Sequence, residues 1–376
     1  MFREEIVGLG DEAVHKPSSD WRGDEMAEWV GRTYTKGDID RAGSFLIPWW
    51  IDPSAPATPE IGAAYSIIEN WRTCHTYPLN AFQVNLRSRA RRVESDALIA
   101  QRLKRFASVM HKLAREPNMK ASQMQDLGGC RAIMSNVRAV DDLLALYRGQ
   151  DADLFESEGV LKVYDYIRCP KSDGYRGIHV VGRFIARTEA REHWNGQRIE
   201  VQLRSRLQHA FATAVETVTT FTRTPLKFGG GPDEWRRFFS LMGSTLAIRE
   251  DTPLVAGTPV NRDEMLRELR ESSRALNVKR RLKGWANALR AIPRRHVKGA
   301  KWLLMVLDAK ANTVSVVGFA DRQKAGVALS RIEQRPGGLD AVLVWVASAR
   351  HLRAAYPNYY ADTREFLNAL DEALRV

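Results

Sequence analysis

Three stretches in the middle of the chain alternate apolar and polar residues with period two: LKVYDYI (161–167), GIHVVGRFI (177–185) and RIEVQLRS (198–205). That alternation, rich in β-branched and aromatic residues, predicts strands. In the last stretch Ile199, Val201 and Leu203 share one face, and Glu200, Gln202 and Arg204 share the other. Three polar residues in a row suit a sheet that lines a cleft, or equally the wet face of an antiparallel sheet. CRAIM (130–134) predicts another strand and 140–147 a helix. Upstream, Ile99, Leu103, Phe106, Met110 and Leu113 step by four and three, which predicts one helix over 98–115 with Arg102, Arg105 and Lys112 beside its stripe. Residues 61–75 also read as helix, whereas 1–60, ending in IPWWIDPSAPATPE, read as a loop or wrapping segment.

Helices over 206–220 and 233–248 flank the Gly-rich break KFGGGP, and 263–289 reads as a long basic helix interrupted near Asn277. From residue 301 the pattern becomes strand, strand, helix, strand, helix. The expected class is α/β, a mixed sheet flanked by helices plus a small C-terminal α/β unit. The expected division is 1–250 for a catalytic domain with an N-terminal extension, 251–300 for a basic helical linker or hinge, and 301–376 for a regulatory domain.

The net charge of +12 is uneven: residues 251–300 hold 12 Lys and Arg against 5 Asp and Glu. Such a patch favours an anionic partner, nucleic acid or nucleotide, with a solvated helix face as the bland alternative. Three scattered cysteines, Cys74, Cys130 and Cys169, argue for free thiols over a disulfide framework or zinc site. No apolar run reaches membrane-spanning length and the first residues lack a signal-peptide core. The expectation is a soluble, cytoplasmic protein with no membrane partner.

Asp126, just before LGGCR, and Glu200 are candidate acids on neighbouring strands. Two carboxylates could share one Mg²⁺, which fills its other positions with water and phosphate oxygens; acids at strand ends also serve as simple caps.

Taken in order, RLKRFASVMHK, MQDLGGCRAI, DYIRCPKSDGYRGIH and IEVQLRSRLQHAFA resemble the successive motifs of the RelA/SpoT synthetase domain, between about Arg87 and Thr220. The resemblance implies transfer of pyrophosphate from ATP to a ribose 3′-hydroxyl. It implies Asp126 and Glu200 as Mg²⁺ ligands, with Glu200 also the base. Arg102, Lys104, Ser108 and Lys112 match a basic ATP-gripping helix, and Arg131, Gln202 and Arg204 line the same cleft. Tyr175 matches the ring on which the acceptor base stacks, with Lys171 and His179 beside it.

Members of the family divide by acceptor: GDP or GTP, adenine nucleotides, or the 3′-CCA end of tRNA. Two departures bear on this choice. Alarmone makers usually carry Lys where this chain has Tyr164, and often Asn and Ser where it has Asp173 and Gly177. An acid there would repel a free polyphosphate, and the positive surplus favours tRNA. YPNY (356–359) resembles the YxxY signature of the CapRel group of fused toxin–antitoxins. That likeness implies that Tyr356 and Tyr359 help the C-terminal domain occlude the ATP site, with a phage capsid-type protein as trigger. A turn whose rings pack on their own domain is the plainer reading of YPNY.

Overall fold

In the computed structural model the described residues are 29–52, 56, 58–104, 106–148, 162–222, 233–291, 299–308, 313–333, 339–345 and 359–375. KFGGGP and Tyr356 lie outside them.

The three period-two stretches, the CRAIM segment and residues 98–103 form a five-stranded mixed sheet, β1 (Leu98–Leu103), β2 (Gly128–Met134), β3 (Lys162–Asp165), β4 (Ile178–Arg183) and β5 (Arg198–Ser205), in the order β1-β2-β5-β4-β3. β2 and β5 run parallel and the other pairs antiparallel. One sheet face carries Cys130, Ala132, Ile178, Val180, Ile199, Val201 and Leu203, all buried against α3 (Thr76–Val93) and α5 (Val137–Arg148). Fully burying one Leu or Phe there contributes about 1.5–3 kcal/mol, which fixes which face of β5 turns to the helices. The opposite face carries Glu200, Gln202 and Arg204.

Where one helix was expected over 98–115, the chain makes two elements. Residues 98–103 are strand β1, paired in register with β2, and α4 runs Phe106–Arg115. The apolar stripe is divided accordingly. Ile99 and Leu103 pack on the sheet core, while Phe106, Met110 and Leu113 belong to a separate core with α1 (Lys36–Ile51) and α2 (Pro59–Thr73). Hydrogen bonding to an open edge of β2 outweighs the local helical periodicity, since a period of four also places residues on one face of a strand.

The loop expected around IPWW is likewise corrected. Thr35 and Asp38 form a capping box that starts α1, and the helix runs through Pro48 to Ile51. Its Ile39, Ala42 and Leu46 are buried at helical spacing, and that core decides its conformation. The helix α3, which carries Leu79, Phe82 and Leu86 into the sheet core, had no counterpart in the sequence reading.

After β5 come α6 (Arg206–Thr222), α7 (Asp233–Arg249), α8 (Arg262–Ala275) and α9 (Val278–Ala291). Asn277, at φ 51, takes the left-handed conformation that separates α8 from α9. The last units are β6 (Trp302–Asp308), β7 (Thr313–Phe319), α10 (Arg322–Glu333), β8 (Leu339–Trp345) and α11 (Tyr359–Arg375), with an antiparallel sheet ordered β7-β6-β8. The boundary expected at residue 251 does not coincide with a break in the core. Phe211 and Val218 of α6, Phe238 and Phe239 of α7, Leu269 of α8, Leu282 and Trp285 of α9 and Phe366 and Leu370 of α11 form one buried cluster. The surplus charge of α8 and α9 lies outside that cluster, where Arg270, Arg274, Lys279 and Arg280 line an open hollow. No helix among the described residues is long and apolar enough to cross a membrane.

Candidate active site

Strand register arranges the polar sheet face into three rows. Arg102, Gly129, Glu200, Val181 and Lys162 lie opposite one another in the first. Ala100, Arg131, Gln202, His179 and Tyr164 make the second. Arg204 opens a third beside Gly177, whose carbonyl accepts from the Tyr166 amide. The rows run from cationic β1 and β2 to aromatic β3 and β4, with Glu200 and Gln202 in between.

Four of these side chains and Tyr175, in the loop between β3 and β4, close a ring of hydrogen bonds. Arg204 Nη2 donates to Tyr175 Oη (2.7 Å) and to Gln202 Oε1 (2.8 Å). Gln202 Nε2 donates to Glu200 Oε2 (2.7 Å), Glu200 Oε1 lies 2.9 Å from His179 Nδ1, and His179 Nε2 lies 2.6 Å from Tyr175 Oη. Burial drives the Glu200 carboxyl up, but the His179 hydrogen bond and charge, with Gln202 and Lys104, outweigh it and hold the pKa at about 2. Burial likewise works against a charged His179, yet Tyr175 and Glu200 raise it to about 9. For Tyr175 burial is overcome by Arg204 and His179, which lower it to about 8. At neutral pH the ring is therefore a carboxylate–imidazolium pair, with both imidazole nitrogens donating. Arg204 is 4% exposed, and its Nε and Nη1 are buried without a hydrogen-bond partner among the described residues.

Asp126 precedes β2 and lines the same cleft as Glu200, together with Ala100, Gln101, Arg102, Gly129, Cys130, Arg131 and Gln202. Its Oδ2 accepts from Lys104 Nζ at 2.6 Å and its Oδ1 from Lys112 Nζ at 3.1 Å. Burial pushes the Asp126 carboxyl up, and the two ammonium groups pull it below the ordinary carboxylate value. Burial also lowers Lys104, against the attraction of Asp126. The four residues matched to one basic helix come from three places: Arg102 from β1, Lys104 from the connection after it, and half-buried Ser108 and Lys112 from α4. Folding back at residue 104 brings both lysines onto one carboxylate, which a straight helix would not do.

The donors of this cleft suit Mg²⁺. Asp126 and Glu200 each keep second lone pairs on oxygens already hydrogen-bonded, and one or two carboxylates beside room for water and phosphate is the environment that ion selects. Among the described residues no group of three or more His, Cys, Asp and Glu gathers to hold a metal by side chains alone.

The loop 171–177 is pinned from behind. Gly174, at φ 84, lies so close to α7 that a Cβ there would meet the Phe239 carbonyl oxygen at 2.4 Å. Arg176 is buried and donates to the carbonyls of Ile167 (3.2 Å), Gly243 (3.3 Å) and Pro253 (2.6 Å); Ser240 Oγ donates to the Ser172 carbonyl at 2.6 Å. Asp173 Oδ1 accepts from the Tyr175 amide at 3.0 Å, an Asx turn that shapes the loop. Lys171 holds its ammonium 4.4 Å from the Tyr166 ring centre and 5.2 Å from that of Tyr175. Arg176, Ser240 and Gly243 were not singled out from sequence; the small residues of SLMGS on one helix were the available signal. Gly243→Ala would place a Cβ 2.7 Å from Gly174 Cα. We expect it to destabilise the protein by about 1–3 kcal/mol and to weaken acceptor binding, checked by thermal unfolding and substrate titration; unchanged values would mean the loop is not held by this contact.

Of the two tyrosines that the YxxY likeness marks out, Tyr359 is the first residue of α11. That helix packs along α6, the helix that follows β5 directly.

Residues 101–222, which run from β1 to the end of α6, match the family described as "Region found in RelA / SpoT proteins". None of the curated proteins matches the chain. Among solved structures, a GTP pyrophosphokinase family protein from Streptococcus pneumoniae is 20% identical over 49% of this chain and 89% of its own, with a TM-score of 0.38. The small alarmone synthetase 2 of Bacillus subtilis is 18% identical over 49% and 94%, with a TM-score of 0.39. The small alarmone synthetase 1 of the same organism, bound to its product pppGpp, is 19% identical over 49% and 94%, with a TM-score of 0.39.

Proposed function

We propose, from the RelA/SpoT region at residues 101–222, that the protein transfers a diphosphoryl group from ATP to a ribose 3′-hydroxyl, with the CCA end of tRNA as acceptor. The observation that carries the reading is the ring joining the acceptor-side groups Tyr175 and His179 to Glu200, next to a cleft lined by Arg102, Arg131 and Asp126. The acceptor oxygen attacks the β-phosphorus, the bond from that phosphorus to the α-phosphate oxygen breaks, and AMP leaves with the electron pair. The hydroxyl proton passes to a Glu200 oxygen. In a loose phosphoryl-type transition state positioning and charge neutralisation dominate, so an ionised and firmly aimed carboxylate serves despite its low pKa. Arg102, Arg131 and Lys104 offset the charge on the donor phosphates. Mg²⁺, held by Asp126 and Glu200 when bound, would add Lewis-acid polarisation of the phosphates.

The reading extends to regulation: the C-terminal region restrains the site through Tyr356 and Tyr359 and yields to a phage capsid-type protein, in a cytoplasmic setting. Support for a link comes from α11, whose packing on α6 ties the C-terminal region to the helix leaving β5. A second reading, an alarmone synthetase acting on GDP, GTP or an adenine nucleotide, draws support from Asp173. Its Oδ1 accepts from the Tyr175 amide, which gives this acid a loop-shaping role that an acceptor of either kind tolerates.

Supplying the full chain and its Tyr356→Ala variant with γ-³²P-ATP, deacylated tRNA and GDP tests these together. Label is expected at the tRNA 3′ end, more with the variant. Label confined to nucleotide overturns tRNA as acceptor, and label in neither overturns the transfer.

A further inference from the structure

Beyond Tyr175 and His179 the sheet continues into two rings that neither the ring of hydrogen bonds nor the transfer step uses. Tyr164 lies opposite His179 on the edge strand β3, and Tyr166 follows two residues later. Their rings are nearly parallel, 3° apart with centres at 6.0 Å, and both are half-buried. Tyr166 meets His179 edge-on at 5.2 Å and Tyr175 at 6.0 Å, so the aromatic row is continuous with the candidate acceptor site. Each outer ring also has an ammonium group over it. Lys162 Nζ lies 4.8 Å from the Tyr164 ring centre and Lys171 Nζ 4.4 Å from that of Tyr166, and both lysines are exposed.

Rings interleaved with exposed ammonium groups along one sheet edge and its adjoining loop are the chemistry that binds single-stranded nucleic acid. Bases stack on the rings, while the lysines move to the phosphates between them. A mononucleotide needs one ring. A row of three, Tyr175, Tyr166 and Tyr164, has room for more.

We propose that Tyr164 and Tyr166, with Lys162 and Lys171, form a second-base subsite that holds the penultimate nucleotide of a single-stranded RNA 3′ end while the terminal base lies at Tyr175. The inference rests on the proposed acceptor and names what selects it: a polynucleotide end gains the second stack and a free nucleotide does not. Tyr164 is a specificity-determining residue here, since it lies one ring beyond the reacting groups.

The test uses the full chain and two probes that cannot accept a diphosphate, the tetranucleotide ACCA ending in 3′-deoxyadenosine and 3′-deoxyadenosine monophosphate, titrated by calorimetry. Tyr164→Ala is expected to weaken the tetranucleotide about tenfold and leave the mononucleotide within about twofold, with Tyr164→Trp restoring binding. A 2-aminopurine at the penultimate position is expected to be quenched on binding to the natural protein, and not by Tyr164→Ala. Equal loss for both probes would make Tyr164 a mere support of His179 and overturn the subsite; so would no loss, or a natural protein that binds both probes equally. Because neither probe reacts, the outcome is separable from the acceptor assay. Label found solely in GDP sinks tRNA as substrate whatever the tetranucleotide does, and loss of the penultimate stack sinks the subsite even where tRNA is labelled.

Discussion

Glu200→Gln is expected to cut diphosphoryl transfer by about 10²–10⁴-fold, the largest loss of any single isosteric change in the sheet. Gln keeps the shape of the side chain and can still accept from His179, so the fold is retained. What disappears is the negative charge proposed to receive the hydroxyl proton, which also raises the His179 pKa. The His179 pKa should fall with it, which an imidazole titration by NMR reads separately from the rate. Retained transfer in the variant would move the base elsewhere. The natural protein carries a matching pH signature. His179 is raised to about 9, above its unfolded value, so its contribution to stability is fully present below about 6.5 and is lost as pH rises through about 9. Glu200 is lowered to about 2, so its contribution is present above about 4.5 and is lost as pH falls through about 2. Thermal unfolding followed from pH 6 to 10 should therefore show a decline that sets in above about 6.5 and is opposed above about 8 by ionisation of Tyr175; Glu200→Gln should largely remove the His179 part.

Asp126→Asn is expected to harm both activity and stability. Lys104 is 12% exposed and Asp126 25%, so the ammonium group loses its carboxylate in a place where water replaces it poorly. Removing one partner of such a pair leaves a charge short of compensation, at a cost of about 2–3 kcal/mol after allowing for that exposure. Lys112 loses the same partner. Loss of a carboxylate from the cleft should also raise the Mg²⁺ concentration needed for half-maximal transfer by at least about tenfold. Urea unfolding checks the first effect and a Mg²⁺ titration of the transfer rate the second. A variant with lowered stability but an unchanged Mg²⁺ requirement would leave Asp126 an ion-pair anchor for the two lysines and remove it from the metal site.

The sheet was largely legible because half-buried strands must alternate, and alternation survives in the sequence whatever the rest of the chain does. The faces of β5 follow directly from Ile199, Val201 and Leu203. The segment 98–115 was misread because a stripe stepping by four and three serves a helix, and its first two members serve a strand face equally well. Which applies depends on β2, whose free edge takes up Leu98–Leu103 in register. The helix α1 was missed for a related reason: Pro48 reads locally as a break, while the capping box at Thr35 and the burial of Ile39 and Leu46 decide otherwise. The segment 251–300 stands out in the sequence by its charge, and charge marks surface. The apolar faces of α8 and α9, which join the α6–α7–α11 core, carry none of it.

By itself the sequence determined strands β2 to β5, the polar face of β5, and the presence of Asp126, Glu200, Tyr175 and His179 in motifs that resemble one family. Those are local patterns, written in residues a few positions apart. The tertiary structure decided that Lys104 and Lys112 share one carboxylate, and that Arg204, Tyr175, His179, Glu200 and Gln202 close on each other. Each of these joins groups brought to hydrogen-bond distance by strand register or by a fold-back, and hydrogen-bond strength depends on distances and angles that residue order does not record.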